Sequence, residues 1–168
     1  VRVKCQSKTP ALYSDPSSLA NWSVPAWNQL NMSEHNDCPF CREPEIIIEN
    51  EFAYADYDTY PVSPGHCLII TRRHVAEYFQ ATTEEKNAIW ALVDEMKAII
   101  DRKYNPDAYN VGVNIGKTAG QSVPHVHIHM IPRYKGDVEN PQGGVRGVIP
   151  HKQKYIRKNR KGQSQVPE

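Results

Sequence analysis

The sequence predicts an α+β domain in which one long helix packs on an antiparallel β-sheet. Two observations carry that prediction. Ile89, Trp90, Val93, Met96, Ile99, Ile100 and Tyr104 recur at helical spacing, the one sustained period in the chain. Short apolar or alternating runs stand before and after it, giving a strand–helix–strand order.

Taken in order, residues 1–36 are rich in Pro, Ser, Asn and Thr, with Trp22, Trp27 and Leu30 at no regular spacing. They read as an N-terminal extension, arm-like or partly disordered, whose tryptophans would clamp onto the body or onto a second copy. The folded domain is expected over 37–152 and a basic tail over 153–168. IIIENEFAYAD at 46–56 predicts two strands joined by a turn at Glu49-Asn50-Glu51. After Pro61, Pro64 and Gly65, HCLIIT at 66–71 reads as a buried strand. Thr82 and Glu85 have capping-box spacing at the helix start, and Asn105-Pro106 ends the helix because proline disfavours helix at the residue before it. YNVGVNIG at 109–116 alternates like a strand, GKTAGQ is a turn, and 125–132 is the last strand. From Gly143 onward the chain reads as irregular and ends in the basic stretch KQKYIRKNRK.

At 168 residues the chain is sized for one domain, and its 39% hydrophobic and 23% charged residues are ordinary for a globular protein. The net charge of +1 gives no case for nucleic-acid or membrane binding, and no apolar run approaches the ~18 residues of a membrane span. VRVKCQSKTPALYSDPSS at 1–18 lacks the apolar core of a signal peptide, so a reducing, cytoplasmic setting is expected. There the pair Cys38-x-x-Cys41 points to metal or redox use; Cys5 and Cys67 look incidental, Cys67 as a small core residue.

The densest chemistry lies in QSVPHVHIHMIPR at 121–133. Side chains alternate along a strand, so His125, His127 and His129 share one face at about 6.5–7 Å spacing, with Val126, Ile128 and Met130 turned towards the helix. Three readings stand: a solvated face, a metal site built on the H-x-H pair, or nucleophilic and acid–base chemistry on a phosphate. For the third, a neutral imidazole is a good nucleophile near neutral pH, and an adjacent imidazolium stabilises developing negative charge.

HVHIHMI has the His-φ-His-φ-His-φ-φ pattern of the histidine-triad (HIT) superfamily of nucleotide hydrolases and transferases. CPFC at 38–41, SPGHCLIITRRH at 63–74, VNIGKTAGQSVPHVHIHMIPR at 113–133 and GGVRGVIP at 143–150 resemble that family in order and spacing. IPR and YKGD after the triad are more similar to the fragile-histidine-triad and bacterial diadenosine-polyphosphate hydrolase-like branch than to the phosphoramidase branch. The resemblance implies a HIT-like fold and a homodimer with the two sheets continuing across the interface. It implies an adenine-nucleotide substrate and attack by His127 on the α-phosphorus through a covalent nucleotidyl-histidine, which releases a nucleoside monophosphate. His129 and His66 would donate to phosphate oxygens, and Asn114, Gln121 and Ser122 would serve the phosphate or leaving-group side. Asp58 would meet the ribose hydroxyls. It also implies a structural Zn2+ held by Cys38, Cys41, His74 and His125, no metal being needed for the chemistry. Rival readings are a nucleoside phosphoramidase, a dinucleoside polyphosphate phosphorylase and a non-catalytic, zinc-stabilised nucleotide-binding module. The basic stretch at 152–161 is read as a solvated tail; alternatively Arg146, Lys152 or Lys154 fold back onto a polyphosphate leaving group, or the tail touches nucleic acid.

Overall fold

A computed structural model describes residues 37–42, 45–155, 157–158 and 164–165, so the extension over 1–36 lies outside the described residues. Five strands make one antiparallel sheet: β1 (Ile48–Glu49), β2 (Ala53–Tyr57), β3 (Cys67–Thr71), β4 (Ala108–Gly112) and β5 (His127–Arg133). Their order across the sheet is β1-β2-β3-β5-β4. Helix α1 (Thr83–Tyr104) runs between β3 and β4 in sequence and packs on one face of the sheet. Among the described residues no helix is long and apolar enough to cross a membrane.

The alternation of the strands sorts the two faces. Ile69 pairs with Ile128 and Cys67 with Met130, and these join Ala53, Ala55 and Val126 under Ile89, Leu92, Val93, Met96 and Ile100 of α1. Each Val, Leu, Ile or Met among them contributes about 1.5–3 kcal/mol by leaving water. The residues between them face the other way. Ile70 pairs with His127 and Leu68 with His129, so β3 supplies an apolar bed beside two of the histidines. Tyr54 and Phe40 complete that bed, the Tyr54 hydroxyl donating to the Phe40 carbonyl at 2.6 Å.

Helix α1 starts where its capping box closes. The Glu85 N–H donates to Thr82 Oγ1 at 3.2 Å, and the Thr82 N–H donates to Glu85 Oε2 at 2.8 Å. The same buried carboxylate accepts two bonds from Arg73, at 2.7 and 2.8 Å, tying the helix start to the segment after β3. Burial works to raise the Glu85 pKa, but Arg73 and the Thr82 N–H outweigh it and hold the group below its ordinary 4.5. Its contribution to stability is therefore complete above pH 4.5 and lost as pH falls through the lower folded value. Glu85→Ala should cost about 1–3 kcal/mol in urea unfolding near neutral pH, discounted for the half-exposed Arg73, and should flatten the decline in stability below pH 4.5.

At its far end α1 stops at Asn105, which takes a left-handed φ of 47° and donates its N–H to the Asp101 carbonyl, immediately before Pro106. Gly65 has φ +82°, and a Cβ there would lie 2.9 Å from the Tyr104 ring. Glycine is thus required where the chain turns to present His66 at the head of β3.

Four local expectations need correction. The last strand begins at His127, not at 125: His125 lies in a bend, its N–H donating to Val123, and the Val126 N–H leaves the sheet register for the Val75 carbonyl. β4 ends at Gly112, not 116, and the chain turns through Gly116 at φ +80° and Gly120 at φ +88°. Trp90, placed on the apolar stripe, is 44% exposed and donates to the Tyr78 hydroxyl, while the neighbouring Leu92 is fully buried. The segment after Gly143 is not wholly irregular: it forms 3-10 turns at Gly144–Val148 and Pro150–Lys152, and β6 (Arg157–Lys158) pairs with β7 (Ser164–Gln165).

Candidate active site and metal centre

His127 is fixed by its own backbone neighbourhood. Its Nδ1 lies 2.7 Å from the His125 carbonyl oxygen, and because a carbonyl only accepts, Nδ1 carries the proton. The lone pair is then on Nε2. Phe40 sets its ring edge-on to the His127 imidazole, with centroids 5.0 Å apart, and the His129 ring stands at 5.1 Å. The nucleophile candidate is buried in spite of lying on the face away from α1.

His66, as buried as His127, and the partly exposed His129 complete the cluster. His66 Nε2 is 3.2 Å from His129 Nδ1, and Asp58 Oδ2 lies 3.4 Å from His66 Nδ1. Burial lowers the proton affinity of His66, and Asp58 opposes it. Burial also lowers that of His129, with His127 and His66 adding to the effect and Asp58 opposing it.

The loop between β4 and β5 places the amide and hydroxyl candidates. Gln121 braces this loop: both amide hydrogens donate to backbone carbonyls, of Ala76 at 2.7 Å and Val123 at 3.1 Å, while its oxygen accepts the Gly116 N–H at 2.8 Å. Asn114 is half-buried beside Gly120, and Ser122 is exposed. In the tail, Arg146 donates to the carbonyls of Lys152 and Gln153 and lies over the Tyr155 ring, so its guanidinium shapes its own loop.

A second constellation assembles from three separate segments. Cys38 precedes a 3-10 turn (Pro39–Cys41) that Cys41 ends, His74 follows β3, and His125 precedes β5. Their donor atoms all lie within 4.8 Å of one another. His125 Nδ1 is 3.4 Å from Cys38 Sγ and 3.6 Å from Cys41 Sγ, and His74 Nδ1 is 3.3 Å from Cys41 Sγ. Ligands 2.0–2.3 Å from a tetrahedral Zn2+ stand about 3.5 Å apart, so the spacing fits a zinc ion. The tautomer fits as well: His125 Nε2 is 2.8 Å from the Thr71 carbonyl, which places the proton there and leaves Nδ1 free to coordinate. Burial brings the His125 imidazole down to about 4, so the ring is neutral. Burial and then Cys38 push the Cys41 thiol up to about 12, and a bound cation reverses that logic by taking the thiolate as a ligand.

Asp58, His66, His127 and His129 are thus neighbours, as are Cys38, Cys41, His74 and His125, while Asn114, Gln121 and Ser122 stand in the β4–β5 loop. Phe40 and Tyr54 are the members that sequence reasoning missed. Phe40 sits inside the Cys-Pro-Phe-Cys run, where only the cysteines gave a chemical signal.

Comparison with known proteins accords with this geometry. The HIT domain model matches residues 42–136, more than half of the chain. The chain is 37% identical over 99 residues to a bis(5'-adenosyl)-triphosphatase from Dictyostelium discoideum, covering 59% of this chain and 66% of that protein, just under two thirds of its length. Among solved structures, a HIT family protein from Bacillus anthracis is 32% identical with a TM-score of 0.57, the match covering 61% of this chain and 77% of that one. A Zn-bound histidine triad family protein from Mycobacterium smegmatis is 28% identical with a TM-score of 0.53, covering 56% and 69%. With the strand order, the helix and the paired histidines in place, the chain belongs to the HIT domain family.

Proposed function

We propose that this chain is a nucleotidyl hydrolase or transferase that cleaves dinucleoside polyphosphates, diadenosine compounds foremost, at the α-phosphorus. The observation that carries the reading is the 2.7 Å contact from His127 Nδ1 to the His125 carbonyl, which leaves a lone pair on Nε2. In the first step that nitrogen bonds to phosphorus while the anhydride P–O bond breaks, and the leaving polyphosphate departs with the electron pair. Water then attacks the phosphohistidine, the P–N bond breaks, and a nucleoside monophosphate leaves.

His129, half-exposed beside His127, faces the phosphate as a donor. Asn114 and Ser122 contribute donors from the β4–β5 loop, which Gln121 holds in shape from behind. The adenine preference follows the name of the Dictyostelium relative, a bis(5'-adenosyl)-triphosphatase. A zinc ion on Cys38, Cys41, His74 and His125 supplies a cross-link between three segments, and the chemistry is left to the imidazoles. β4 lies at one edge of the sheet, where the matching strand of a second copy would extend it, so a homodimer forms part of the reading.

The test is a side-by-side panel of diadenosine triphosphate, diadenosine tetraphosphate and an adenosine phosphoramidate. AMP released from the polyphosphates is the expected result. Faster turnover with added phosphate and a nucleoside diphosphate product would indicate a phosphorylase. Cleavage of the phosphoramidate alone would place the chain with the phosphoramidases, and turnover of none would leave a binding module.

A further inference from the structure

The face of the sheet turned away from α1 carries one carboxylate that neither the histidine cluster nor the candidate metal centre uses. Tyr54 and Asp56 take alternate positions along β2 and point to that face, with Asp58 just beyond the end of the strand. The register fixes where the face leads. Tyr54 pairs with Ile70 and Ile70 with His127, while Asp56 pairs with Leu68 and Leu68 with His129. Directly opposite residues share a face, so Asp56, Leu68 and His129 form one row. Two strand spacings, about 10 Å, separate its ends. The ground between is apolar: Leu68 and Ile70 are buried with Tyr54, and Phe40 packs on them.

Asp56 is held in place but not neutralised. It is partly buried, and its carboxylate accepts the backbone N–H groups of Tyr57 and Glu45. Among the described residues it enters no ion pair, and the charge that bears on it is the like charge of Glu45. Burial raises its pKa above the ordinary 3.8, against the two N–H groups. A carboxylate drawn partly out of water without a cation is costly until another donor reaches it. An apolar bed with a single polar group at its border is how a site fixes the orientation of a flat ligand.

We propose that Asp56 is a specificity-determining residue that reads the base of the bound nucleotide, its carboxylate accepting the 6-amino N–H of adenine. This rests on the nucleotidyl-transfer reading and deepens it by naming the group that chooses the base. With the α-phosphorus at His127 Nε2, the purine covers the apolar bed and its amino edge reaches Asp56. Hypoxanthine and guanine carry a carbonyl oxygen at that position, and two acceptors facing each other repel. A site built around a donor on the ligand rejects the analogue that lacks it more sharply than apolar contact does.

Isothermal titration of the full chain with AMP, IMP and GMP tests this without turnover. AMP should bind about 10-fold tighter, or more, than either 6-oxo nucleotide. Asp56→Asn keeps an oxygen for the backbone donors and adds an amide N–H that suits a carbonyl, so the three affinities should converge to within about threefold. Asp56→Leu should converge them as well, by removing the polar group. Asp56 is partly exposed, so neither replacement opens a cavity in the core. Equal affinities in the parent, or a preference for AMP that either variant keeps, would overturn the role of Asp56 and leave the nucleotidyl-transfer reading standing. Tighter binding of GMP, lost in D56N, would assign the carboxylate to the guanine edge and overturn the adenine contact. Binding of none of the three would remove both readings.

Discussion

His127→Asn should lower the rate of nucleotide cleavage by on the order of 10³-fold or more, with little change in thermal stability. The asymmetry follows from how the ring is held. An asparagine amide can still donate to the His125 carbonyl, which His127 Nδ1 contacts at 2.7 Å, so the local backbone keeps its partner. What disappears is the second nitrogen with its lone pair, the atom that would bond to phosphorus. Rapid acid- or base-quench mass spectrometry of the parent with a diadenosine polyphosphate should find a nucleotidyl adduct on the peptide holding residues 125–129, absent in the variant. Parental turnover in the variant, or an adduct on another residue, would remove His127 from the nucleophile's role.

Loss of the metal is the second large effect. The native chain is expected to carry about one zinc, and strong chelation or Cys38→Ser should lower the melting temperature by about 10 °C or more. The cross-link explains the size: Cys38 and His125 are 87 residues apart in sequence yet 3.4 Å apart in space, so one ion would close a very long loop. Elemental analysis with well under one zinc per chain, together with an unchanged melting temperature in the serine variant, would dismiss the centre.

Much of this was readable from local pattern. The capping box at Thr82 and Glu85, the stop at Asn105 and the apolar side of HVHIHM all depend on near neighbours, and all stand where the spacing puts them. What failed depended on distant partners. Nothing around Val126 announces that its N–H will bond to Val75 and delay the strand until His127. Gln121 reads as a polar turn residue until Ala76 is known to lie beneath it. Trp90 has the right period but falls on the flank of the stripe, where Tyr78 offers a hydroxyl. Phe40 was invisible because its value comes from the ring that it meets, nearly ninety residues later.

Position 125 divides its work between two parts of one residue. Its imidazole faces the thiols of the candidate metal centre, whereas its peptide oxygen orients the next histidine but one, the proposed nucleophile. A lineage could exchange the ring for a different donor, or do without the proposed metal, and still leave the proposed nucleophile pointing the right way. Stability and reactivity are thereby free to drift apart at a single codon.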